Sequence, residues 1–248
     1  MNVGNDARTL AARFLQYIEE LIEEHMKYSA LIFDMDGTLV HNMPTHNQAW
    51  QDTLAEAGVQ INQEEFNRAT TGKKTNEILR LMLGYQLSDS ELAYWGERKE
   101  SLYRERYSCC REPLAGLLHL LEQATALGLS MAVATASPPA NIPFILDELN
   151  LRRYFKTVVG GADAQHGKPH PEIFLKSAQA LGVSPASCLV FEDSLGGIEA
   201  ARRAGIDAVM ICTTIDAQEV AGMPHVLCAV PDFTHIDLPT LLGSPVIS

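Results

Sequence analysis

Short apolar runs without polar alternation recur along the chain, and they constrain its fold more than any other feature. The first is Ala30–Phe33, and later runs lie at 129–135, Cys188–Glu192, 208–212 and, more weakly, Val226–Val230. Uniformly apolar strands are typical of parallel sheets that are covered on both faces. Helical patterns closed by glycine separate several of these runs. The alternation predicts an α/β protein with a doubly wound parallel sheet.

The interval from about residue 46 to 112 breaks this alternation, because it contains no clear buried strand. Three helices are predicted within it, each followed directly by a glycine: 47–57, 64–71 and 76–83. A fourth helix is predicted to begin at Ser88, where Glu91 completes a capping box. The pattern therefore predicts a helical insertion after the first strand.

Three segments follow from these patterns. We predict an N-terminal helix at 1–27, a core α/β domain formed by 28–43 and 114–248, and a helical cap domain at 44–113. The first segment has apolar residues at helical spacing and an acidic opposite face. Docking on the protein's own core is the favoured interpretation, and binding to a partner is the alternative. The predicted state is a monomer or a weak homodimer.

Composition argues against several classes of protein. The 248 residues include 31 acidic and 19 basic side chains, a formal net charge of −12, which argues against a nucleic-acid or anionic-membrane surface. No apolar stretch approaches the ~18 residues that a membrane-spanning helix needs. The five cysteines lack zinc-ligand spacing, and the N-terminus does not resemble a secretion signal. These features predict reduced thiols and a cytoplasmic location.

Polar side chains collect where the predicted strands end. In an open α/β sheet the carboxyl ends of the strands meet at one edge, which is where ligands bind. These polar residues are Asp34, Asp36, Thr135, Ser137, Lys168, Glu192 and Asp193. Four of them are carboxylates, and such a cluster suits a hard cation with oxygen ligands. The predicted cofactor is therefore Mg²⁺.

These segments resemble the four motifs of the haloacid dehalogenase-like superfamily of phosphotransferases. The motifs stand in order as Phe33-Asp34-Met35-Asp36-Gly37-Thr38-Leu39, Thr135, Lys168-Pro169 and Glu192-Asp193-Ser194. The inserted helices resemble this superfamily's cap of the first type. The stretches 45–50 and 167–174 are similar to those of β-phosphoglucomutase-like phosphatases and mutases. The resemblance covers about residues 28–240 and implies a Rossmann-like core with an α-helical cap.

The resemblance implies a catalytic role for four residues. Asp34 would be the nucleophile that attacks phosphorus and forms an aspartyl-phosphate. Asp36 would protonate the leaving oxygen and then activate the hydrolytic water. Thr135 and the backbone amides after it would bind the phosphoryl oxygens, and Lys168 would offset negative charge.

The resemblance also implies how Mg²⁺ is held. The expected ligands are the carboxylates of Asp34 and Asp193 and the main-chain carbonyl of Asp36. Glu192 is expected nearby or linked to the metal through water.

Candidates for substrate binding lie mostly in the predicted cap, and they are His46, Lys73, Lys74, Lys99 and, after the second motif, Ser137. The sequence leaves two interpretations for each of two residues. His46 is either catalytic or an ordinary residue at the start of a helix, with neither favoured. Lys99 either contacts the substrate or is exposed to solvent. The mutases of this family carry an arginine where Thr75 stands and Lys-Asn where this chain has Pro138-Pro139, so a second phosphate site is weakened. Replacement of that arginine by Lys73 or Lys74 stays open, although a lysine point charge is not equivalent to an arginine fork. The sequence therefore favours hydrolysis of a small sugar or polyol phosphate, with β-phosphoglucomutase-type mutase activity as the alternative.

Overall fold

The computed structural model describes residues 26–70 and 72–243, so the predicted helix at 1–27 lies almost wholly outside the described residues. Within them the strands are β1 (Ala30–Phe33), β2 (Ser130–Ala134), β3 (Thr157–Val159), β4 (Cys188–Glu192), β5 (Asp207–Ile211) and β6 (Val226–Val230). These strands form one parallel sheet in the order β3-β2-β1-β4-β5-β6.

The helices of the described residues connect and follow these strands. They are α1 (Met43–Glu56), α2 (Gln63–Thr70), α3 (Thr75–Leu83), α4 (Asp89–Tyr107), α5 (Leu117–Ala126), α6 (Asn141–Leu146), α7 (Glu172–Leu181), α8 (Leu195–Ala204) and α9 (Leu238–Leu241). Short 3-10 turns lie at Arg152–Tyr154, Pro185–Ser187, Ala217–Val220 and Phe233–His235. None of the helices in 26–70 and 72–243 combines the length and the apolar character needed to cross a membrane.

The predicted doubly wound α/β sheet is confirmed. Strands β1, β4 and β6 begin and end at the same residues as the apolar runs that predicted them. The ends of β2 and β5 each differ by one residue from those of the predicted runs. Strand β3 was not predicted. It has three residues, of which Val159 alone is buried, so it is too short and too exposed to produce an apolar run.

The register of the central strand aligns the ends of its two neighbours. Phe33, the last residue of β1, pairs with Val133 of β2 and with Phe191 of β4. Because all three strands run in the same direction, the residues after these pairs emerge side by side at the carboxyl edge. Asp34 and Glu192 are two of them.

Apolar cores cover both faces of the sheet. Phe33 packs on one face with Leu117 of α5, while Ile32 packs on the other with Phe174 of α7 and Ile198 of α8. Successive residues of a strand point to opposite faces, so a strand buried on both faces has no polar position. This explains the uninterrupted apolar runs of the sequence.

The helices α1–α4 lie between β1 and α5 and have an apolar core of their own. Its buried residues are Trp50, Leu54, Phe66, Ile78, Leu79 and Leu92. The expected capping box is present at the start of α4, where the Ser88 side chain accepts from the Glu91 backbone N–H. The four helices match the predicted ones in order, and the cap boundaries at 44 and 113 stay a prediction.

Candidate active site

A cavity opens at the carboxyl edge of the sheet, between the strand ends and the helices α1–α4. On the sheet side its polar lining residues are Asp34, Asp36, Thr135, Ser137, Lys168, Glu192, Asp193 and Ser194. On the helical side they include His46, Lys73, Thr75 and Glu100. The structure thus brings all the residues predicted at this edge into one cavity. All of the sheet-side residues but Lys168 lie at or just after the ends of β1, β2 and β4, which are neighbours in register, and Lys168 comes from the segment before α7.

Lys168 is a buried cation held between two carboxylates. Its Nζ donates to Asp34 Oδ1 and to Glu192 Oε1, and it lies 3.3 Å from the main-chain oxygen of Ala134. Burial alone would lower the pKa of Lys168, but Asp34 and Glu192 outweigh burial and raise it. The ammonium is therefore charged and fixed at the sheet edge.

Asp34 presents one free oxygen to the cavity. Its Oδ1 accepts from Lys168, whereas its Oδ2 makes no hydrogen bond with the described residues. Burial raises the pKa of this carboxyl; Lys168 opposes the rise, while Glu192 and Asp36 add to it. A carboxylate held at one oxygen and unbonded at the other has the arrangement that a nucleophile needs.

Glu192 is engaged on all sides by protein groups. Its Oε2 accepts from the backbone N–H of Asp193, and from the N–H and hydroxyl of Ser194, at 2.9 Å each. A Cβ on Gly197 would lie 1.9 Å from its carboxyl group, so the start of α8 fits around it. The structure thus places Glu192 as a partner of Lys168 and a support for the 193–194 backbone, rather than as a free ligand.

Asp193 packs against the turn that follows β1. Its Oδ1 lies 3.4 Å from Thr38 Oγ1. A Cβ on Gly37 would lie 2.1 Å from Asp193 Oδ2, and Gly37 has φ of +90°, so glycine is required here for both space and conformation. Burial raises the pKa of Asp193 well above its usual range, and Glu192 and Asp34 raise it further.

The donor set at this edge fits a hard divalent cation. Three buried carboxylates, those of Asp34, Glu192 and Asp193, face the single ammonium of Lys168, which leaves an excess of negative charge. In residues 26–70 and 72–243, no group of three or more His, Cys, Asp or Glu side chains is arranged as a metal site. The expected ligands, the Asp34 and Asp193 carboxylates and the Asp36 main-chain carbonyl, stay a prediction.

Asp36 is oriented by three side chains. Its Oδ1 accepts from Asn42 Nδ2 at 2.6 Å and lies 3.5 Å from His46 Nε2, while its Oδ2 accepts from the Ser137 hydroxyl. The His46 contact is long and does not satisfy that ring nitrogen as a hydrogen bond. Burial would raise the pKa of Asp36, but His46, Ser137 and Asn42 outweigh it and lower the pKa to about 2. Ser137 therefore holds the Asp36 carboxylate and also lines the cavity, and its contact with substrate stays a prediction.

His46 and Lys99 belong to a buried chain of contacts in the helical half. Lys99 Nζ lies 2.7 Å from His46 Nδ1 and donates to Glu100 Oε1 at 3.0 Å. The His46 ring stacks on Tyr103, with the ring centroids 3.7 Å apart. Lys99 is 3% exposed, so it is not a solvated lysine. His46 lines the cavity, whereas Lys99 lies behind the lining residues.

The two lysines of the loop between α2 and α3 have different surroundings. Lys73 lines the cavity, and its ammonium has no hydrogen bond or ion pair with the described residues. Lys74 Nζ donates instead to the main-chain oxygen of Ala164, and Glu77 accepts from the Gly167 backbone N–H at 3.3 Å. Lys74 therefore joins the helical segment to the core and does not line the cavity.

Sequence reasoning missed four polar residues of this region, which are Asn42, Glu100, Tyr103 and Asn141. Asn42 precedes α1 and could have been interpreted as a helix cap, yet its side chain bonds to Asp36 and to Tyr103 instead. Tyr103 lies four residues after Lys99 on one helix, and that spacing was the available signal. Glu100 and Asn141 carry no sequence signal, because only packing brings α4 and α6 together.

Comparison with known proteins gives concordant matches. Residues 28–205 match a family model described as a haloacid dehalogenase-like hydrolase. The fructose-1-phosphate phosphatase YqaB of Escherichia coli (strain K12) is 37% identical over 183 residues, which cover 74% of this chain and 96% of that protein. The phosphorylated carbohydrates phosphatase of Thermotoga maritima is 32% identical over 181 residues, covering 73% of this chain and 83% of that protein.

A solved structure agrees with these relatives. The β-phosphoglucomutase of Clostridium difficile superposes with a TM-score of 0.77 at 25% identity, over 86% of this chain and 95% of that chain. The similarity extends through both the sheet and the helical segment, because the matched share of the chain is too large for either one alone.

We expect Gly37→Ala to lower the free energy of unfolding by at least ~2 kcal/mol, because its methyl group would overlap the Asp193 carboxylate at a positive φ. Gly58→Ala is the matched control, since Gly58 also has a positive φ but a Cβ there would meet nothing within 4 Å. The free energy of unfolding of Gly58→Ala should fall by only about 1 kcal/mol, because of backbone strain alone. Urea unfolding measures both losses, and equal losses would contradict the proposed overlap.

Lys168→Met should destabilise the protein by about 3 kcal/mol or more at pH 8 in buffer without divalent cations, because it leaves buried carboxylates unpaired. The deficit should shrink at pH 5. Carboxyls whose pKa is raised by folding bind more protons when folded, so acid favours the folded variant. Lys176→Met, which removes a partly exposed ion pair with Glu172, should cost at most about 1 kcal/mol at either pH. Urea titrations at the two pH values test this, and a deficit independent of pH would refute it.

Proposed function

The chain belongs to the haloacid dehalogenase-like hydrolases, and on that premise we propose that it is a Mg²⁺-dependent phosphatase of small sugar or polyol phosphates. One observation carries the proposal: Asp34 lies against Lys168 at the sheet edge, in the same cavity as Asp36 and Thr135. The match to two phosphatases named for carbohydrate phosphates supports the substrate class.

The first step of the proposed reaction is attack by Asp34 on phosphorus. The free Oδ2 forms the new P–O bond, the bond to the leaving oxygen breaks, and an aspartyl-phosphate results. Lys168 holds the other carboxylate oxygen and keeps a positive charge beside the reacting group. Thr135, buried at the end of β2, is proposed to contribute its hydroxyl to the phosphoryl oxygens, together with backbone amides after it, since its own N–H donates to the main-chain oxygen of Val159.

Asp36 is proposed to move the protons of both steps. An incoming phosphate is anionic, so its approach raises the low pKa of Asp36 and allows this residue to carry a proton to the leaving oxygen. Once ionised again, Asp36 accepts a proton from the water that attacks the aspartyl-phosphate. Asn42, His46 and Ser137 keep its carboxylate in position between the sheet and the helical segment.

The proposed Mg²⁺ ligands are the Asp34 and Asp193 carboxylates and the Asp36 main-chain carbonyl. When bound, the cation supplies positive charge that offsets the carboxylates and the phosphoryl oxygens. Glu192 is proposed to act indirectly, by holding Lys168 and the backbone of Asp193.

The helical segment is proposed to be a cap, with boundaries at 44 and 113, that closes over the substrate and excludes water. Hydrolysis is favoured over the alternative, phosphosugar mutase activity, because a mutase must hold two phosphates. The Lys74 ammonium donates to the main-chain oxygen of Ala164 in the core, so it is not available to a second phosphate. Pro138 and Pro139, which follow β2, provide neither a backbone nor a side-chain hydrogen-bond donor for one.

We propose that the enzyme acts in the cytoplasm as a monomer or weak homodimer on a small phosphorylated molecule, without nucleic-acid or membrane partners. Its five cysteines are free thiols, which suits a reducing compartment.

Incubation with Mg²⁺ and a panel of hexose, pentose and polyol phosphates should release inorganic phosphate, measured colorimetrically. Asp34→Asn should reduce this rate by at least ~1,000-fold, since it removes the nucleophile. Asp147→Asn, which changes an exposed aspartate paired with Arg152, is the matched control and should retain the rate. Phosphate release no greater than in the Asp34→Asn protein, across the panel, would refute phosphatase activity.

Asp36→Asn should reduce turnover by more than ~100-fold, because it removes the proposed general acid and base. Its affinity for Mg²⁺ should stay within about threefold of the wild-type affinity, because the expected ligand is the main-chain carbonyl of residue 36. Asp193→Asn should abolish Mg²⁺ binding. Isothermal titration with Mg²⁺ distinguishes the two variants, and loss of Mg²⁺ binding in Asp36→Asn would contradict the assigned role.

A further inference from the structure

Two consecutive threonines follow β5, and each donates a hydrogen bond to the main chain of one of the two loops that carry proposed Mg²⁺ ligands. Thr213 Oγ1 donates to the main-chain oxygen of Gly37 at 2.5 Å, and Thr214 Oγ1 donates to the main-chain oxygen of Asp193. Neither threonine lines the cavity at the carboxyl edge of the sheet. Their hydroxyl groups therefore act on the backbone of the site and not on a substrate.

The loop after β1 orients the Asp36 carbonyl through the peptide group that this carbonyl shares with the Gly37 N–H. That N–H donates to Asn42 Oδ1 at 3.0 Å and to the main-chain oxygen of Val40 at 2.9 Å. The peptide bond is trans and planar, so the Asp36 carbonyl points away from these acceptors. Its oxygen accepts no hydrogen bond from the described residues and is available to a cation. Thr213 fixes the next carbonyl along the chain, that of Gly37.

The peptide group after Asp193 is held at both ends. Its carbonyl accepts from the Thr214 hydroxyl, and its N–H, which belongs to Ser194, donates to Glu192 Oε2 at 2.9 Å. The orientation of this peptide group constrains where the Asp193 carboxylate lies. That carboxylate meets the other loop at Gly37, where an added Cβ would lie 2.1 Å from Asp193 Oδ2. The two loops are thus in contact with each other, and each is also bonded to one threonine.

From these contacts we propose that Thr213 and Thr214 are positioning residues for the Mg²⁺ site. Because the two threonines are adjacent in the chain, their hydrogen bonds fix the separation of the Asp36 carbonyl and the Asp193 carboxylate before a cation binds. Mg²⁺ requires a nearly ideal octahedral arrangement of oxygen ligands, so a small displacement of either ligand weakens its binding. The inference rests on the Mg²⁺ ligands of the proposed function.

The test measures the Mg²⁺ affinity of the full chain by isothermal titration. Thr213→Val and Thr214→Val keep the shape of the side chain but remove its hydroxyl. Each should weaken Mg²⁺ binding about tenfold, the lower end of the usual effect of removing a hydrogen-bond partner behind a metal site. Thr213→Ser and Thr214→Ser keep the hydroxyl, so their Mg²⁺ affinity should stay within about threefold of the wild-type affinity.

Thr125→Val is the matched control. The Thr125 hydroxyl also donates to a main-chain oxygen, that of Leu121 at 2.8 Å, but it lies on α5, which does not line the cavity. This variant should bind Mg²⁺ as tightly as wild type. Melting curves identify the variants that fold. Where a valine variant does not fold, Thr213→Ala or Thr214→Ala, which also lacks the hydroxyl, takes its place.

Three results overturn the inference. Folded valine or alanine variants with the wild-type Mg²⁺ affinity refute it and leave the proposed metal site intact, and serine variants that bind as weakly as the valine variants refute a role for the hydroxyl. Absence of Mg²⁺ binding by wild type refutes the proposed metal site and the inference together. A wild type that binds Mg²⁺ but releases no phosphate refutes the phosphatase function alone, because the inference is judged on Mg²⁺ affinity.

Discussion

The contact of Lys168 with Asp34 and Glu192 is the interaction on which the rest of the site depends. Carboxylates buried at the end of a sheet are costly unless a positive charge faces them. A single ammonium compensates two of them and holds one oxygen of Asp34, while the other oxygen remains available. Asp193, which Lys168 does not contact, is one of the proposed Mg²⁺ ligands, and with that cation bound this edge would suit a phosphate.

Close packing around the acidic side chains keeps them in position relative to Lys168. Gly37 leaves room for Asp193, and Gly197 leaves room for Glu192, at distances where a methyl group would overlap a carboxylate. Ser194 both caps α8 and donates to Glu192, so the helix start and the acid support each other. The rigidity of the site therefore comes from the backbone around the carboxylates as well as from Lys168.

The two halves of the cavity differ in the charged groups that line them. At the sheet edge, acidic groups outnumber the buried lysine, which suits a cation and a phosphoryl group. In the helical half, Glu100 and Lys99 cancel each other, while Lys73 lines the cavity with an ammonium that has no hydrogen bond or ion pair with the described residues. The charges at the sheet edge match the anionic end of the proposed substrate.

The sequence by itself determined the sheet and the residues at its edge. Fully apolar runs have one stable use in such a chain, a parallel strand covered on both faces, so the strands and the acids that follow them were predictable. The three-residue β3 was not, because a short edge strand leaves no periodic signal. Only the tertiary structure separated Lys73 from Lys74 and placed Glu100 beside Asn141. Spacing along a helix specifies a face but not what that face packs against, and the contacts of the helical half depend on how α1–α4 pack against each other and the core.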